Sequence, residues 1–393
     1  MIRMAVAGYG QRIHWVIDQA LRRVEPDIAV VGVVDPDEAG VRARLAERDR
    51  AGVVFYKGLK EMIAKAKPDA LAIGTRCNLH TPYAVEAAAH RIPLYLEKPV
   101  AISMRQATTL EKAFEKSRCE TVVSFPLRVS PLCVLAKEYL DKGAVGSCEH
   151  ILAVNYVPYG TCYWEEGYRH YKITRGLFLQ KATHDFDYMS FLMGSRIVRV
   201  AAMATAGRVF GGARKPAGLT CSRCDEVRTC LESPENRQRS SSGDTRRDHS
   251  CLFGLDCGTP ETGTNEDSSS ALVEFASGVH GVYTQVFYTR RDAAARGATI
   301  SGYRGTVSFD WYKNELRWVR HHRPFSETAR ADAGLSHFGG DMELAYDFLD
   351  VVRGRGKSRS TIWDGIQSVY ACLAAKQSAH TGRFVKVRQV GQA

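Results

Sequence analysis

The first 124 residues alternate between short apolar runs and amphipathic helical patterns. The apolar runs are apolar on both faces, as in the strands of a parallel sheet covered by helices. They are Met4–Ala7, Ala29–Val34, Val53–Phe55, Ala70–Ile73, Leu94–Leu96 and Thr121–Ser124. The helical patterns between them include Ala39–Arg50, Leu59–Ala66, Tyr83–His90 and Met104–Lys116. This alternation predicts a doubly wound parallel sheet.

The pattern changes after Phe125. Helices are predicted at Pro131–Lys142, Ala182–Met193, Asp341–Val352 and Ile366–His380. Alternating runs predict strands at Cys148–Tyr156, Ile197–Thr205, Ala271–Phe275, Val279–Thr289 and Ala298–Phe309. We therefore predict two domains: residues 1–124 with the parallel sheet, and residues 125–393 as an α/β domain with an open, mainly antiparallel sheet. A polar, cysteine-rich insert occupies about residues 206–265 of the second domain.

The composition is that of an ordinary globular chain: 393 residues, 45% of them hydrophobic and 25% charged. It contains no apolar run of 18 residues, and the first apolar run ends at Gly8, too soon for a signal peptide. We therefore expect a cytoplasmic protein that contacts no membrane. The net charge of +11 is scattered and no nucleic-acid motif accompanies it. Such a charge is typical of a solvated, arginine-rich surface, and an anionic small substrate is the alternative interpretation.

A glycine turn, Gly8-Tyr9-Gly10-Gln11-Arg12-Ile13, follows the first strand and begins a helix. The two glycines suit a tight turn and a close approach to a pyrophosphate, although Ile13 replaces the third glycine of the usual motif. Asp35 ends the second strand, at a spacing expected for a carboxylate on the adenosine ribose. That carboxylate favours NAD over NADP. The positive charge of Arg12, in contrast, could accommodate the 2′-phosphate of NADP.

The turn Glu97-Lys98-Pro99 after the fifth strand resembles that of the Gfo/Idh/MocA oxidoreductases. The resemblance continues through Thr75–His80, Lys181–Asp187, Glu266–Ser268 and Gly339–Asp341. It implies an N-terminal Rossmann domain, a second domain for substrate and oligomerisation, and NAD-dependent chemistry on sugars or cyclitols. It also implies a homodimer or homotetramer that pairs through the sheet of the second domain.

The resemblance implies that Lys98 reaches the nicotinamide and the substrate, and that His184 is the acid–base group. An imidazole titrates near neutral pH, and a lysine can stabilise a developing alkoxide, so the residue types suit hydride transfer from an alcohol. Cofactor contacts are expected from Gly8, Gly10, Gln11, Arg12, Asp35, Thr75, Asn78, His80, Glu97 and Lys98.

The family usually has an aspartate one helical turn before the histidine, where this chain has Gln180. Residues 180 and 184 would share a face if the helix reached back that far. Lys181 is adjacent, as in a sub-branch of the family with a KATH-type motif. The preceding loop, Gly160–Arg175, is rich in aromatic and basic residues that suit sugars. Tyr171 is a further candidate base, and substrate contacts are expected from Arg128, Trp164, His170, Arg175, Lys181, His184 and His337.

Five of the eleven cysteines lie between Cys221 and Cys257. The spacing of Cys221, Cys224, Cys230 and Cys251 is compatible with a structural zinc site, with His249 and Cys257 as competing ligands. Cysteine inserts in the same sub-branch favour a metal. Free thiols without a metal, and an iron–sulfur cluster, remain alternatives.

Two functions fit these residues. The first is an NAD-dependent dehydrogenase or reductase of a sugar or cyclitol. The second, known among relatives of the family, is an oxidoreductive glycoside hydrolase, in which transient oxidation at C3 permits elimination of the aglycone, followed by water addition and re-reduction. Its substrate would be a glycoside, with anionic sugars such as a uronide or sulfoquinovoside worth testing. A third interpretation, a non-catalytic NAD sensor, fits poorly with intact Lys98 and His184.

Overall fold

The computed structural model describes residues 1–165, 167–239, 248–254, 265–331, 334 and 336–392. The chain forms two compact units. The first comprises Met1–Val134, Asp332–Tyr370 and Arg388–Ala393, and the second comprises Leu135–Ala331 and Ala371–Val387. The first unit therefore takes in two C-terminal segments that the sequence patterns group with the second domain.

The first unit is built on a parallel sheet of six strands in the order β3-β2-β1-β4-β5-β6. The strands are β1 (Ile2–Ala7), β2 (Ile28–Val34), β3 (Val54–Phe55), β4 (Ala70–Ile73), β5 (Leu94–Leu96) and β6 (Thr121–Val123). The chain turns from one side of the sheet to the other between β1 and β4, where open parallel sheets bind ligands at the carboxyl ends of their strands. The predicted Rossmann sheet is confirmed.

Helices follow these strands. They are α1 (Gln11–Trp15), α2 (Arg22–Val24), α3 (Glu38–Arg44), α4 (Glu47–Arg50), α5 (Leu59–Ala66), α6 (Cys77–Ala87), α7 (Met104–Glu115), α8 (Pro126–Val129) and α9 (Pro131–Asp141). A π-helical segment, Val16–Leu21, joins α1 to α2. Apolar residues of these helices pack on the sheet, with Ile13, Ile17 and Leu21 fully buried against it.

The second unit contains an open sheet of nine strands in the order β14-β13-β12-β11-β7-β10-β9-β8-β15. The strands are β7 (His150–Tyr156), β8 (Ile197–Thr205), β9 (Ser268–Phe275), β10 (His280–Val286), β11 (Ala295–Ser301), β12 (Gly305–Asp310), β13 (Glu315–Arg320), β14 (Phe325–Ala329) and β15 (Val385–Lys386). Among the described strands of this sheet, β7 and β10 pair in parallel and the other neighbouring pairs are antiparallel. The prediction of a mainly antiparallel sheet is confirmed.

Two details of this sheet differ from the sequence patterns. The predicted strand Ala298–Phe309 is in fact β11 and β12, because the chain turns at Gly302, where a Cβ would lie 2.1 Å from the Ser147 carbonyl oxygen. The edge strand β14 and its neighbour β13 were not predicted. Their residues are mostly exposed or half-buried, so they lack the apolar alternation that marks a covered strand.

The remaining helices are α10 (Cys162–Glu165), α11 (Tyr171–Thr174), α12 (Leu177–Gln180), α13 (Ala182–Met193), α14 (Pro234–Arg239), α15 (Gly340–Val352) and α16 (Ile362–Thr381). The observed bounds of α13 are those that the sequence predicts. Within the described part of the chain, no helix combines the length and the apolar content that crossing a bilayer requires.

Candidate active site

A glycine turn connects β1 to α1 at the carboxyl edge of the parallel sheet. Gly8 has a φ of +80°, and a Cβ there would lie 2.5 Å from the amide nitrogen of Thr75, so the fold requires glycine. A Cβ on Gly10 would meet no described atom within 4 Å. Gly10 and the exposed Gln11 therefore leave open space at the start of α1, where backbone N–H groups can hold a pyrophosphate. The turn fits a dinucleotide.

The missing third glycine of the motif is compensated on the neighbouring strand. Ile13 is fully buried, and a Cβ on Gly74 would lie 1.9 Å from its Cγ1. Gly74 directly follows β4. The close packing of helix on strand that the third glycine usually provides is thus achieved here by removing a side chain from the strand instead of the helix.

Asp35 lies directly after β2 and faces the glycine turn. Its carboxylate accepts hydrogen bonds from the backbone N–H groups of Tyr9 and Asp37, each at 2.9 Å. Because Tyr9 lies between the two glycines, the carboxylate is fixed beside the turn. A carboxylate there can accept a ribose hydroxyl and repels a ribose phosphate.

His80, which was expected to contact the cofactor, is buried and joins two loops of this edge. Its Nε2 lies 2.9 Å from the Thr75 carbonyl oxygen and its Nδ1 lies 2.8 Å from that of Pro99. Burial lowers the pKa of His80, and the two carbonyls oppose that effect only in part. The ring thus holds the loop after β4 against the turn that carries Lys98. In the same loop, the buried Oδ1 of Asn78 has no partner among the described residues and could accept a hydrogen bond from a cofactor.

Arg12 binds two carboxylates. Its Nη1 and Nη2 donate to Asp341 at 2.9 and 2.5 Å, and its Nε donates to Glu97 at 3.0 Å. His337 Nδ1 lies 2.8 Å from the same Asp341 carboxylate. Burial opposes the ionised form of Asp341, but Arg12 and then His337 outweigh it and hold the pKa of Asp341 well below its usual range. Arg12 thus joins Glu97 to Asp341, and Asp341 in turn binds His337. Asp341 was not predicted as a site residue.

In the second unit, His184 lies in the first turn of α13 and is 3% exposed. The next residue, Asp185, is fully buried and anchors this turn. It accepts hydrogen bonds from Arg296 Nη2 at 2.8 Å, Tyr283 Oη at 2.8 Å and Asn155 Nδ2 at 3.0 Å. Three strands therefore fix the start of α13, and with it the backbone of His184.

Gln180 occupies the place of the usual carboxylate, but it is the last residue of the separate short helix α12. Lys181 separates α12 from α13, with φ −113° and ψ −49°. The condition for Gln180 and His184 to share one helical face, a helix that reaches back to residue 180, is therefore not met.

Lys181 is itself nearly buried, at 4% exposed. Its Nζ donates to the Tyr159 hydroxyl at 2.8 Å and lies 5.0 Å from the centre of that ring. Burial, and then the charge of Arg296, lower the pKa of Lys181 to about 7, with Asp185 acting in the opposite direction. Tyr159 was not predicted as a site residue; it lies one residue before the aromatic loop Gly160–Arg175.

The aromatic loop brings two predicted residues together. The Tyr171 hydroxyl accepts a hydrogen bond from Lys376 Nζ at 3.0 Å, and the Arg175 guanidinium lies 5.7 Å from the Tyr171 ring centre. Lys376 also donates to the Arg175 carbonyl. His170 precedes α11 and is exposed. Lys376 of α16 thus holds the Tyr171 side chain and the Arg175 backbone next to each other.

Two residues predicted to contact the substrate are instead buried in packing or in an ion pair. The Trp164 side chain is fully buried, and its ring centre lies 4.8 Å from that of Phe210. Arg128 is buried too, with Nη1 2.9 Å from an Asp364 carboxylate oxygen. Trp164 is a core residue that a substrate could reach only if this core opened, and the charge of Arg128 is neutralised by Asp364.

The cysteine insert does not support the expected zinc site. The described residues include no group of three or more His, Cys, Asp or Glu side chains that could hold a metal ion. Burial raises the pKa of Cys221 to about 11 and also raises the pKa of Cys230. The geometry of the described residues therefore does not support the predicted zinc site at Cys221, Cys224, Cys230 and Cys251.

The alternative ligands, His249 and Cys257, do not complete a zinc site among the described residues. His249 Nδ1 lies 3.0 Å from the Ser250 carbonyl oxygen and its Nε2 lies 3.1 Å from that of Glu232. The Sγ of Cys221 also lies 3.7 Å from Nδ1 and 3.5 Å from Nε2, so His249 contacts one thiol and two backbone carbonyls. Cys257 lies outside the described residues.

Comparisons with known proteins agree with this architecture. Residues 2–125 match the model of an oxidoreductase family with an NAD-binding Rossmann fold, and residues 134–308 match the GFO/IDH/MocA C-terminal domain. The chain belongs to the Gfo/Idh/MocA family of oxidoreductases, as the sequence resemblance implied.

Individual relatives are distant. The oxidoreductase YteT of Bacillus subtilis is 23% identical over 74% of this chain and 71% of its own length. The scyllo-inositol 2-dehydrogenase (NAD(+)) of the same organism is 23% identical over 51% of this chain, and the match spans 56% of that enzyme. A levoglucosan dehydrogenase solved with NADH and L-sorbose has a TM-score of 0.76 and 17% identity, with full coverage of both chains. At this identity the structural likeness establishes the fold.

The glycine turn generates a test that separates folding from cofactor binding. We expect Gly10→Ala to leave the thermal unfolding midpoint unchanged but to weaken NADH binding at least about tenfold, because the new Cβ fills the space of the pyrophosphate and nothing else. NADH fluorescence titration measures the affinity. Gly52→Ala, which also meets no described atom within 4 Å, is the matched control. Unchanged NADH affinity in Gly10→Ala would show that this turn does not hold the cofactor.

The ion pairs of Arg12 generate a second prediction. We expect Arg12→Met to lower the free energy of unfolding by about 3 kcal/mol, because the two carboxylates, 9% and 1% exposed, lose their counter-charge. Since the folded-state pKa of Asp341 is lowered, its stabilisation is present at neutral pH and is lost only as the pH falls towards that low value. Urea unfolding as a function of pH measures both effects.

The control for this prediction is Arg42→Met, because the pair of Arg42 with Glu38 is exposed at 51% and 53%. It should change the unfolding free energy by less than about 0.5 kcal/mol. Equal effects of the two substitutions would contradict a special role for Arg12.

Proposed function

We propose that this protein is an NAD-dependent oxidoreductase that transfers a hydride between NAD and a secondary alcohol of a sugar or cyclitol. The arrangement at the carboxyl edge of the parallel sheet carries the proposal. The glycine turn, the Thr75 loop and the Lys98 turn follow β1, β4 and β5, which are adjacent strands. A cradle that fits a pyrophosphate therefore lies on the same edge as an amine that can bind an alcohol oxygen.

The surroundings of Asp35 and Arg12 support NAD over NADP. The Asp35 carboxylate is fixed beside the glycine turn, where it opposes a ribose phosphate. The Arg12 guanidinium, which could have offset that charge, binds Glu97 and Asp341. The residues proposed to hold the cofactor through backbone or side chain are Gly8, Gly10, Gln11, Asp35, Thr75, Asn78 and Lys98.

The proposed mechanism divides the work between two residues. When bound, NAD supplies the hydride acceptor. Lys98 donates a hydrogen bond to the substrate oxygen and stabilises negative charge that develops on it. His184 takes the hydroxyl proton during oxidation and returns it during reduction. Tyr171, His170 and Arg175 are proposed to contact the sugar ring and its hydroxyls.

Substitution of the two proposed catalytic residues tests this assignment. We expect Lys98→Met and His184→Asn each to lower kcat/KM by about 10² to 10⁴, while NADH still binds, because each removes a group that acts on the reacting oxygen. Stopped-flow or steady-state absorbance of NADH measures turnover, and fluorescence measures binding. The exposed Lys65 and His380 provide the controls Lys65→Met and His380→Asn. Normal turnover in either active-site variant would refute its role.

A substrate panel tests the reaction class. The panel contains myo-inositol, scyllo-inositol, levoglucosan and nitrophenyl glycosides, including a glucuronide and a sulfoquinovoside, each with and without NAD⁺. Absorbance reports NADH and nitrophenolate together. Accumulation of NADH supports the dehydrogenase. NAD⁺-dependent release of nitrophenolate without lasting NADH would instead identify the glycoside hydrolase.

The outer face of the nine-stranded sheet supports a proposal of self-association. Leu152, Val282 and Leu272 are aligned across three neighbouring strands by the pairing register. Leu152 and Leu272 are 40% and 49% exposed, and Met203 on the same sheet is 80% exposed. Adjacent exposed apolar residues of this kind mark an interaction surface, and a second copy of the sheet is the proposed partner.

Charged substitutions on this face test the proposed oligomer. We expect the double variant Leu152→Glu/Leu272→Glu to shift a dimer or tetramer to the monomer, because two charges would be buried in each interface. Size-exclusion chromatography with light scattering measures the mass. Leu231→Glu, at an exposed leucine of the cysteine insert, is the control. An unchanged mass of the double variant would exclude this face as the interface.

A further inference from the structure

We propose that the pair His150 and His280 makes self-association of this chain depend on pH, with oligomers above neutral pH and monomers in mild acid. The inference rests on the proposed self-association through the outer face of the nine-stranded sheet, and it deepens that proposal. It names the titratable groups that control the interface and the direction in which they act. It does not depend on the proposed hydride transfer.

The two histidines are neighbours on β7 and β10, the parallel pair at the centre of the sheet. The pairing register places them directly opposite each other, and their ring centres lie 5.1 Å apart. Because side chains alternate between the faces of a sheet, the pair shares the face of Leu152 and Val282, two residues further along each strand. His150 is half-buried and His280 is exposed. The pair therefore borders the apolar residues that are proposed to meet a second copy.

The imidazole rings lack a free counter-charge beside them. Within the described ranges, no hydrogen bond or ion pair reaches a nitrogen of either ring. The paired residue on β11 is the uncharged Ser301, and the paired residue on β9 is Glu274. The carboxylate of Glu274 is already bound by Arg199 of β8, whose Nε lies 2.5 Å from it. A proton taken up by either histidine therefore adds a positive charge that stays unbalanced.

The other ionisable groups in line with the pair across this face are basic. Lys386 of β15 lies opposite Arg199. On the other side, His321 Nε2 lies 2.9 Å from the Thr306 hydroxyl, which contacts the Ser301 hydroxyl at 3.1 Å. Among the described strands, this line thus sets two permanent cations and three imidazoles against one carboxylate. Two copies brought together by this face would repel each other more strongly once the imidazoles are ionised.

The direction of the pH effect follows from burial. Within one chain, burial and then the charge of His280 lower the pKa of His150. A second copy would remove more water from both rings and add like charge, so the pKa values should be lower still in the oligomer. A group whose pKa is lower in the associated state stabilises that state at high pH, and the stabilisation is lost as the pH falls. Association should therefore weaken below about pH 6.5, where an ordinary histidine becomes charged.

Molar mass as a function of pH tests the inference. Light scattering after size-exclusion chromatography is applied to the full-length protein with NAD⁺. Between about pH 8 and about pH 5.5 we expect the dissociation constant to rise at least about hundredfold. The oligomer should return at the higher pH, and near-ultraviolet circular dichroism should show that the monomer stays folded. Equal association at both pH values would overturn the inference and leave the proposed self-association.

Substitutions of the pair separate it from other titratable groups. We expect His150→Gln/His280→Gln to stay oligomeric at about pH 5.5, because glutamine takes up no proton there. The variant His150→Lys/His280→Lys, with two permanent charges, should be monomeric already at about pH 8. His380→Gln, at an exposed position of α16, is the matched control and should keep the pH dependence. Dissociation of the double glutamine variant in acid would assign the dependence to other groups and overturn the inference.

Proton uptake on dissociation provides a second measurement. Calorimetric dilution of the oligomer in buffers of different ionisation enthalpy counts the protons that are bound when the copies separate. At about pH 6 we expect about one to two protons per chain, and none in His150→Gln/His280→Gln. Dissociation of the unsubstituted protein without proton uptake would contradict the inference.

The outcomes distinguish this inference from the proposals on which it rests. A monomer at every pH would overturn the self-association and this inference together, whatever the substrate panel shows. An inactive substrate panel with a pH-dependent mass would remove the hydride-transfer proposal and leave this inference. A pH-dependent mass that Leu152→Glu/Leu272→Glu does not change would place the interface on another surface and overturn the role of the pair.

Discussion

The two ion pairs of the Arg12 guanidinium are the interactions on which the first unit depends. The guanidinium binds Glu97, 85 residues away, and Asp341, 329 residues away. The glycine turn, the turn that carries Lys98 and the start of α15 therefore share one half-buried cation. Because the two buried carboxylates are costly to leave unpaired, each of the three segments is held in place by the others. The cofactor edge is thus completed by a part of the chain that follows eight of the nine strands of the second sheet.

A comparable constraint governs the second unit. Asp185 joins α13 to three strands through Arg296, Tyr283 and Asn155. The same charges that fix the helix also act on Lys181, whose amine is buried a few residues earlier. Asp185 and Arg296 therefore both hold α13 in place and influence the pKa of Lys181. A substitution that loosened the Asp185 network would change the protonation of Lys181 as well as the position of His184.

The sequence predicts the two sheets, the glycine turn and most helices, because each depends on local patterns of apolar residues and on Gly and Pro positions. It does not predict β13 and β14, which lack a covered face. The roles of Asp341 and Tyr159 were not predicted either, because they arise from contacts between residues that are separated along the chain. For the same reason, Trp164 looked like a sugar contact, although it is buried against Phe210. A cysteine spacing, likewise, does not reveal whether the thiols are ionised.

The exchange between Ile13 and Gly74 has a consequence for how such turns are recognised. The nucleotide motif is usually written as three glycines in one short segment. Here the third small residue has moved to another strand, 61 positions further along, and a bulky side chain stands in its original place. In this chain the close packing of helix on strand depends on the summed volume of these two facing positions. A search that scores this pair together would retain divergent dinucleotide-binding chains that a linear pattern rejects.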